Sequence, residues 1–289
     1  MPLGYAGKIL HVNLTTGDLT VETPSESFYR QYMGGSALNM HYILRDMKAG
    51  VDPLGPDNML CLSLGVTTGA AVSGQSRMTA TAKSPLTGAI GDAQAGGFFP
   101  AEMKFAGFDA FIITGQSPNP VYLWVHDGEY ELRDASHLWG KVTGEVDHIL
   151  KAELGDDGIE IAQCGPAGEN GVRYAAIMNM SNRANGRTGM GAVMGSKKLK
   201  AVVVRGKEGK RAYAVADKGA LNELARKGAK ALPTSDAAGL AKYGTAETTG
   251  VQQAVGMLPS FNFTSGVFAG WEKIDGVTAP FSGRLLIFM

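Results

Sequence analysis

Apolar and polar residues alternate over Lys8–Leu14 and return over Leu19–Glu22, with Thr15-Thr16-Gly17-Asp18 between them, so a β-hairpin is predicted across residues 7–23. Pro24 and Ser25 open an amphipathic helix over about 25–33, and a second helix follows Gly34-Gly35-Ser36, near 36–47. Met59–Gly65 is a short, fully apolar run, which predicts a buried strand. Arg77–Lys83 alternates as a strand, and Ser84-Pro85-Leu86-Thr87-Gly88 turns it. Val121–Val125 and Tyr130–Arg133 flank His126-Asp127-Gly128-Glu129, a second hairpin with an Asp-Gly turn. Val146, Ile149, Leu150 and Leu154 fall at helical spacing over 143–153. Ile159–Ala162 and Val172–Met178 are expected as strands around a loop at Gly165–Gly171.

Two glycine-rich stretches interrupt this pattern, Ala93–Phe99 and Arg183–Gly191. Each is expected as a loop, followed by a short helix-compatible run and a strand ending in glycine: Pro100–Gly107 then Phe108–Gly115, and Ala192–Lys198 then Leu199–Gly206. The two units share a methionine (Met103, Met194) and an alanine (Ala110, Ala201) in the same place. A domain with pseudo-twofold symmetry, presenting two similar loops, is the structural expectation. Glycine lets backbone N–H groups approach a ligand without a Cβ in the way, and a helix start adds a positive dipole end. Two such devices suit a ligand with two phosphates.

After Gly206 the character changes. Lys207-Glu208-Gly209-Lys210-Arg211 is polar and suits a linker, and residues 217–231 are helical, rich in Ala, Leu and Lys. The expected organisation is a mixed α+β domain at 1–207 and the incomplete start of a helical domain at 208–289, whose last stretch, 276–289, forms an atypical tail. Such an incomplete domain should expose apolar surface around Leu221, Leu224, Leu232 and Val255.

Composition narrows the function. Lys and Arg number 27 and Asp and Glu 27, so no bulk charge draws the chain to nucleic acid or to a membrane surface. Glycine reaches 40 residues without a collagen-like period, which means many tight turns and close backbone approaches. Cys61 and Cys164 are the two cysteines, too far apart for a local metal motif, and both sit in apolar runs as buried thiols. No run approaches the ~18 apolar residues of a transmembrane helix. Met1–Tyr5 shows neither the basic nor the apolar region of a signal peptide, so a reducing cytoplasm is the expected setting.

Gly189-Met190-Gly191 with Gly195 approximates a dinucleotide fingerprint, but the preceding strand ends near Met178 and Ala192–Lys198 is short for a βαβ crossover. Arg183 and Arg187 stand within the second glycine-rich stretch, where a guanidinium suits a phosphate through bidentate, charge-assisted bonds. The five histidines do not cluster at ligand spacing, and no nucleophile–base or paired-carboxylate constellation emerges.

In sum the chain resembles the N-terminal part of the tungsten-containing aldehyde:ferredoxin oxidoreductase family. The resemblance is carried by Gly7–Gly17, Lys83–Gly88, Glu102–Ala110, Arg133–Gly140, Gly165–Asn170 and Asn182–Arg187 through Gly191–Lys197, and extends over about residues 4–275. It implies a β-rich, pseudo-twofold base domain on which two pterins lie, and a tungsten bis-pterin cofactor (tungstopterin), with molybdenum as the alternative metal. It also implies a neighbouring [4Fe–4S] cluster and oxidation of aldehydes to carboxylic acids. Electrons would pass through the cluster to ferredoxin or a ferredoxin-like subunit, in an oligomer. By resemblance, Arg77, Gln94, Gly96, Arg183, Ala184, Gly186 and Arg187 contact the cofactor, with Arg77 between pterin and cluster. A magnesium ion bridging the two pterin phosphates would take main-chain carbonyls of Gln94 and Ala184. Gln94 departs from the usual Asn, which a main-chain ligand should tolerate. The C-x-x-C-x-x-x-C cluster ligands and the catalytic acid/base residues belong beyond this chain's last residue, so it carries no catalytic residue of its own. A shortened paralogue acting as an interaction partner, and a phosphate- or nucleotide-binding enzyme using the same loops, are the alternative functions.

Overall fold

The computed structural model describes residues 2–207 and 214–278. The chain forms two compact units, Met1–Lys218 and Gly219–Met289. The expected linker at 207–211 falls largely on residues 208–213, outside the described residues, as does most of the tail at 276–289.

Among the described residues the first unit holds twelve strands in two six-stranded sheets. The first sheet contains β1 (Ile9–Asn13), β2 (Leu19–Glu22), β3 (Leu60–Leu64), β4 (Met78–Lys83), β5 (Ile90–Ala95) and β6 (Ala110–Thr114), in the order β2-β1-β6-β3-β4-β5. The second contains β7 (Val121–His126), β8 (Glu129–Asp134), β9 (Glu160–Cys164), β10 (Ile177–Asn179), β11 (Arg183–Asn185) and β12 (Leu199–Arg205), in the order β8-β7-β12-β9-β10-β11. The order and directions repeat. In each sheet a hairpin strand runs parallel to the last strand of its half, β1 with β6 and β7 with β12, and every other pairing is antiparallel.

The helices follow the same repeat. α1 (Glu26–Tyr32), started by Ser25 Oγ accepting the Phe28 N–H, and α2 (Gly35–Asp46) cover the outer face of the first sheet. α4 (Thr143–Leu154) covers the outer face of the second and ends on Gly155 in the left-handed region at φ 63°. α3 (Phe99–Phe105) and α6 (Met190–Ser196) lie in the shared core, and α5 (Pro166–Glu169) is a single turn.

The period-two pattern of the central strands dictates these layers. Leu10, Val12, Phe111 and Ile113 face the common core with Val202, Val204, Met103 and Met194. Ile9 and Ile112 face α1 and α2, while Ala201 and Val203 face Val146 and Leu150 of α4. Both cysteines are buried in this packing, and burial pushes their thiols up, as inert core groups require.

Four local expectations change. Strand β5 takes in Ala93–Ala95 of the first expected loop, and β11 takes in Arg183–Asn185 of the second. Of the strand expected at 172–178 only Ile177 and Met178 belong to β10, and the loop at 165–171 contains α5. The short edge strands gain their pairing from tertiary context, which overrides the weak strand preference of Gly, Asp, Ala and Asn.

The second unit carries α7 (Lys218–Ala231, whose first residue closes the first unit), α8 (Ala238–Tyr243) and α9 (Thr249–Ala254). Leu224, Leu232 and Val255 are exposed as expected, whereas Leu221 is half-buried. Among the described residues no helix is long and apolar enough to cross a membrane.

Candidate functional site

The free edges of the two sheets, β5 and β11, meet. Asn185 Nδ2 donates to the Ala93 carbonyl at 2.7 Å, and Asn179 Nδ2 donates to the Gly96 carbonyl at 3.2 Å. Ser84 Oγ donates to the Thr188 carbonyl at 2.7 Å, and a Cβ on Gly91 would stand 2.7 Å from Thr188. Between these edges lies an open cleft of about 480 Å³, lined by Asp92, Gln94, Ala184, Gly186 and Arg187.

β5 alternates small buried residues, Gly91, Ala93 and Ala95, with Ile90, Asp92 and Gln94 on the opposite face. That alternation aims Asp92 and Gln94 at the cleft. Thr81 Oγ1 donates to Asp92 Oδ2 at 3.3 Å, and Asn39 Nδ2 donates to Thr81 Oγ1 at 2.9 Å, so the carboxylate is oriented from the buried side. Sequence reasoning missed Asp92, Asn179 and Asn185. The alternation itself was the signal for Asp92.

Four of the seven expected cofactor residues, Gln94, Ala184, Gly186 and Arg187, therefore share one cleft. Gly96 and Arg77 lie just past the end of the β4–β5 ladder, whose last pair is Met78 and Ala95. Arg183 is exposed, and a Cβ on Gly97 would reach its Cγ at 3.3 Å. These three flank the cleft without lining it. The helix starts do not line it either. The Gly191 N–H at the start of α6 is taken by the Ala175 carbonyl, and Phe99 and Pro100 at the start of α3 are buried.

Gln94 and Ala184 hold equivalent positions in the repeat. Across the first sheet the register runs Gln94–Thr79–Ser63–Ala110, and across the second Ala184–Met178–Gln163–Ala201. The alanines shared by the two units, Ala110 and Ala201, thus stand at the same rung of both ladders.

The glycines separate into two kinds. A Cβ at Gly97 would stand 2.3 Å from Asn179 Oδ1, and one at Gly189 would stand 2.0 Å from the Arg173 carbonyl oxygen. Those two also adopt φ of +107° and +78°. Gly96 and Gly186 have no such constraint: a Cβ there meets only Ser76 O at 3.5 Å and Ala184 Cβ at 3.8 Å, ordinary contacts. Protein packing does not require glycine at 96 or 186, which leaves room for close approach of a ligand from the cleft. Exposed Arg187, two main-chain stretches bare of bulky side chains and a carboxylate together suit phosphate with a bridging hard cation. No group of three or more His, Cys, Asp and Glu converges among the described residues to make a protein-only metal cage.

Residues 9–206 match the family model described as aldehyde ferredoxin oxidoreductase, N-terminal domain. The chain belongs to the aldehyde ferredoxin oxidoreductase family. It is 47% identical over 267 residues to a tungsten-containing aldehyde ferredoxin oxidoreductase of Pyrococcus abyssi, covering 92% of this chain and 44% of that protein. The Pyrococcus furiosus protein of the same description is 42% identical over the same shares. An aliphatic sulfonate oxidoreductase, WOR-like subunit, of Pyrococcus furiosus is 34% identical, covering 70% of this chain and 34% of that one. Among solved structures, the active site complex BamBC of benzoyl coenzyme A reductase superposes with a TM-score of 0.69 at 38% identity, over 71% of this chain and 31% of that chain. The chain thus spans less than half the length of these relatives, of which the two aldehyde ferredoxin oxidoreductases are named as tungsten-containing.

Proposed function

We propose that the first unit is the cofactor platform of a tungsten bis-pterin oxidoreductase that oxidises aldehydes to carboxylic acids. The observation that carries this is the cleft between β5 and β11, built from equivalent positions of a repeated half. A ligand with two like phosphate-bearing halves matches a platform with two like edges.

Each residue then has a task. Arg187 pairs with one phosphate, and Arg183 closes the same side through its guanidinium. Gly96 and Gly186 let the main chain lie against the pterins. Arg77, just past the same ladder end as Gly96, would stand between the pterin and an iron–sulfur cluster. The Gln94 and Ala184 carbonyls offer oxygen ligands to magnesium, and Asp92 supports that assignment, because a carboxylate beside phosphates repels them unless a cation stands between. The bound metal–pterin group supplies the two-electron redox chemistry, while the chain supplies placement and electrostatics. Ferredoxin or a ferredoxin-like subunit would accept the electrons.

The test is metal and pterin analysis of the folded protein purified from its native host grown with tungstate. Tungsten, or molybdenum in its place, together with phosphorylated pterin supports the assignment. A folded protein carrying neither rejects it.

A further inference from the structure

We infer that Asn179 and Asn185 are positioning residues that set the spacing between the two halves of the cofactor cleft. The inference rests on the cleft being the cofactor platform, but its first readout does not need the cofactor.

Both side chains are fully buried, and both reach from the second sheet to main-chain carbonyls of the first. Asn185 donates to Ala93 at 2.7 Å and to Met78 at 3.4 Å, and Asn179 donates to Gly96 at 3.2 Å. The segment Ala93–Gly96 is therefore pinned on both sides of Gln94. On the other edge the same two residues bracket the turn and strand that carry Arg183 and Ala184.

The other half of the repeat forms the same strand pairing without asparagine at these rungs. Asn179 pairs with Arg183, one step from Met178–Ala184, and the corresponding pair in the first sheet is Ala80 with Ala93. Asn185 pairs with Ile177, and the corresponding pair is Ala95 with Met78. Alanine thus serves in both places in the other half. The asparagines break the symmetry so that one edge donates and the other accepts. Their orientation follows from chemistry, since a flipped amide would set Oδ1 against a carbonyl oxygen. Each Oδ1 is left buried with no hydrogen-bond donor, an arrangement retained despite its penalty.

The turn between β10 and β11 adds to this. Met180 and Ser181 both adopt left-handed φ, 52° and 55°, without being glycine. Met180 Sδ accepts the Phe98 N–H at 3.1 Å, so this strained turn is seated on the chain that follows Gly97.

Asn179→Ala, Asn185→Ala and the shape-preserving Asn185→Asp, which cannot donate when ionised, are compared with Asn58→Ala. Asn58 is also fully buried and donates to the Pro53 and Lys83 carbonyls, at the far end of β4 from Gln94. The first readout is amide hydrogen exchange of residues 93–98 and 183–186. Exchange at least tenfold faster there in the Asn179 and Asn185 variants, but not in Asn58→Ala, is expected. The second is tungsten and phosphorylated pterin per folded chain, expected to fall at least tenfold in the same variants and to stay at the wild-type level in Asn58→Ala. Unchanged exchange at 93–98 overturns the inference. So does wild-type cofactor content in the folded Asn179 and Asn185 variants. Wild-type protein free of both metal and pterin overturns the platform assignment instead, and exchange alone then decides whether the two asparagines brace the edges.

Discussion

Gln94 and Ala184 occupy the same rung of two ladders that repeat strand for strand, and both line one cleft. Side chains at this rung differ, a long amide against a methyl, while the backbones correspond. A site built on that correspondence uses main-chain atoms, so substitutions that alter backbone access should matter more than those that alter Gln94 itself. Gln94→Ala is expected to leave tungsten and pterin content within about twofold of wild type, within the ±0.5 kcal/mol usual for surface changes. A tenfold loss would show that its side chain is a ligand.

The glycines give a sharper contrast. Gly186→Ala and Gly96→Ala should leave folding unharmed, or stabilise it by about 0.4–1 kcal/mol through the unfolded state, because their backbone and surroundings accept a Cβ. Their cofactor content should nonetheless fall. Gly189→Ala should destabilise by about 1–3 kcal/mol or more, from strain at φ +78° and collision with the Arg173 carbonyl. Thermal unfolding set beside metal analysis separates the two classes. Equal destabilisation by all three would contradict the distinction.

Arg187 is the exposed cation lining the cleft. Removing a charge-assisted bond to phosphate should weaken cofactor retention by about 1.5–3 kcal/mol, roughly tenfold to over a hundredfold. Arg187→Lys should fall between wild type and Arg187→Ala, because it keeps the charge but loses the fork. Pterin retained after dialysis at raised ionic strength reads this order, and identical retention by all three proteins would contradict it.

Stability should also carry a pH signature unrelated to the cleft. Burial pushes the Glu160 carboxyl from 4.5 up to about 7, with Glu102 and Asp147 adding to burial and Lys151 and Arg205 opposing it. A raised folded value means the native state binds the proton more tightly than the unfolded chain. This contribution is therefore fully present below pH 4.5 and is lost as pH rises through about 7. At a half-buried site solvent screening reduces it to about 1 kcal/mol. Glu160→Gln should remove that slope and be the more stable protein at pH 8. Denaturant unfolding at several pH values checks the sign, and a variant less stable than wild type at pH 8 would reverse it.

The second unit presents apolar side chains to solvent. Phe261 and Phe263 are 77% and 80% exposed on a turn where residues 261–263 all adopt left-handed φ. Such a surface predicts association. Wild-type protein should self-associate in sedimentation velocity, and Phe263→Ser should reduce this while changing stability by no more than about 0.5 kcal/mol. A clean monomer for wild type would contradict the expectation.

The periodic elements were legible because burial on one or both faces leaves a direct mark on sequence. Leu60–Leu64, apart from Ser63, and Val202–Val204 are apolar for that reason, and the hairpins declared themselves by their turns. β5 and β11 were not legible. Gly91, Ala93 and Ala95 are buried small residues, with Thr188 and Met190 packed over Gly91, and small residues carry little strand preference. Of the cleft residues, Gln94, Ala184, Gly186 and Arg187 were found through the glycine-rich stretches and the family resemblance, and Asp92 was not. Asn179 and Asn185 escaped because nothing local distinguishes a buried asparagine that reaches another sheet from one in a solvated turn. Their partners, Gly96 and Ala93, are 83 and 92 residues away in sequence.

On the proposed function, the β5–β11 cleft holds the two phosphates of a metal–pterin cofactor. Anomalous diffraction at the tungsten edge, from crystals of protein isolated from a tungstate-fed native host, tests it most directly. A metal peak flanked by two pterins, whose phosphates lie in the cleft against Gln94, Ala184 and Arg187, is expected. A metal peak whose pterin phosphates lie elsewhere, with the cleft filled by solvent, would contradict it.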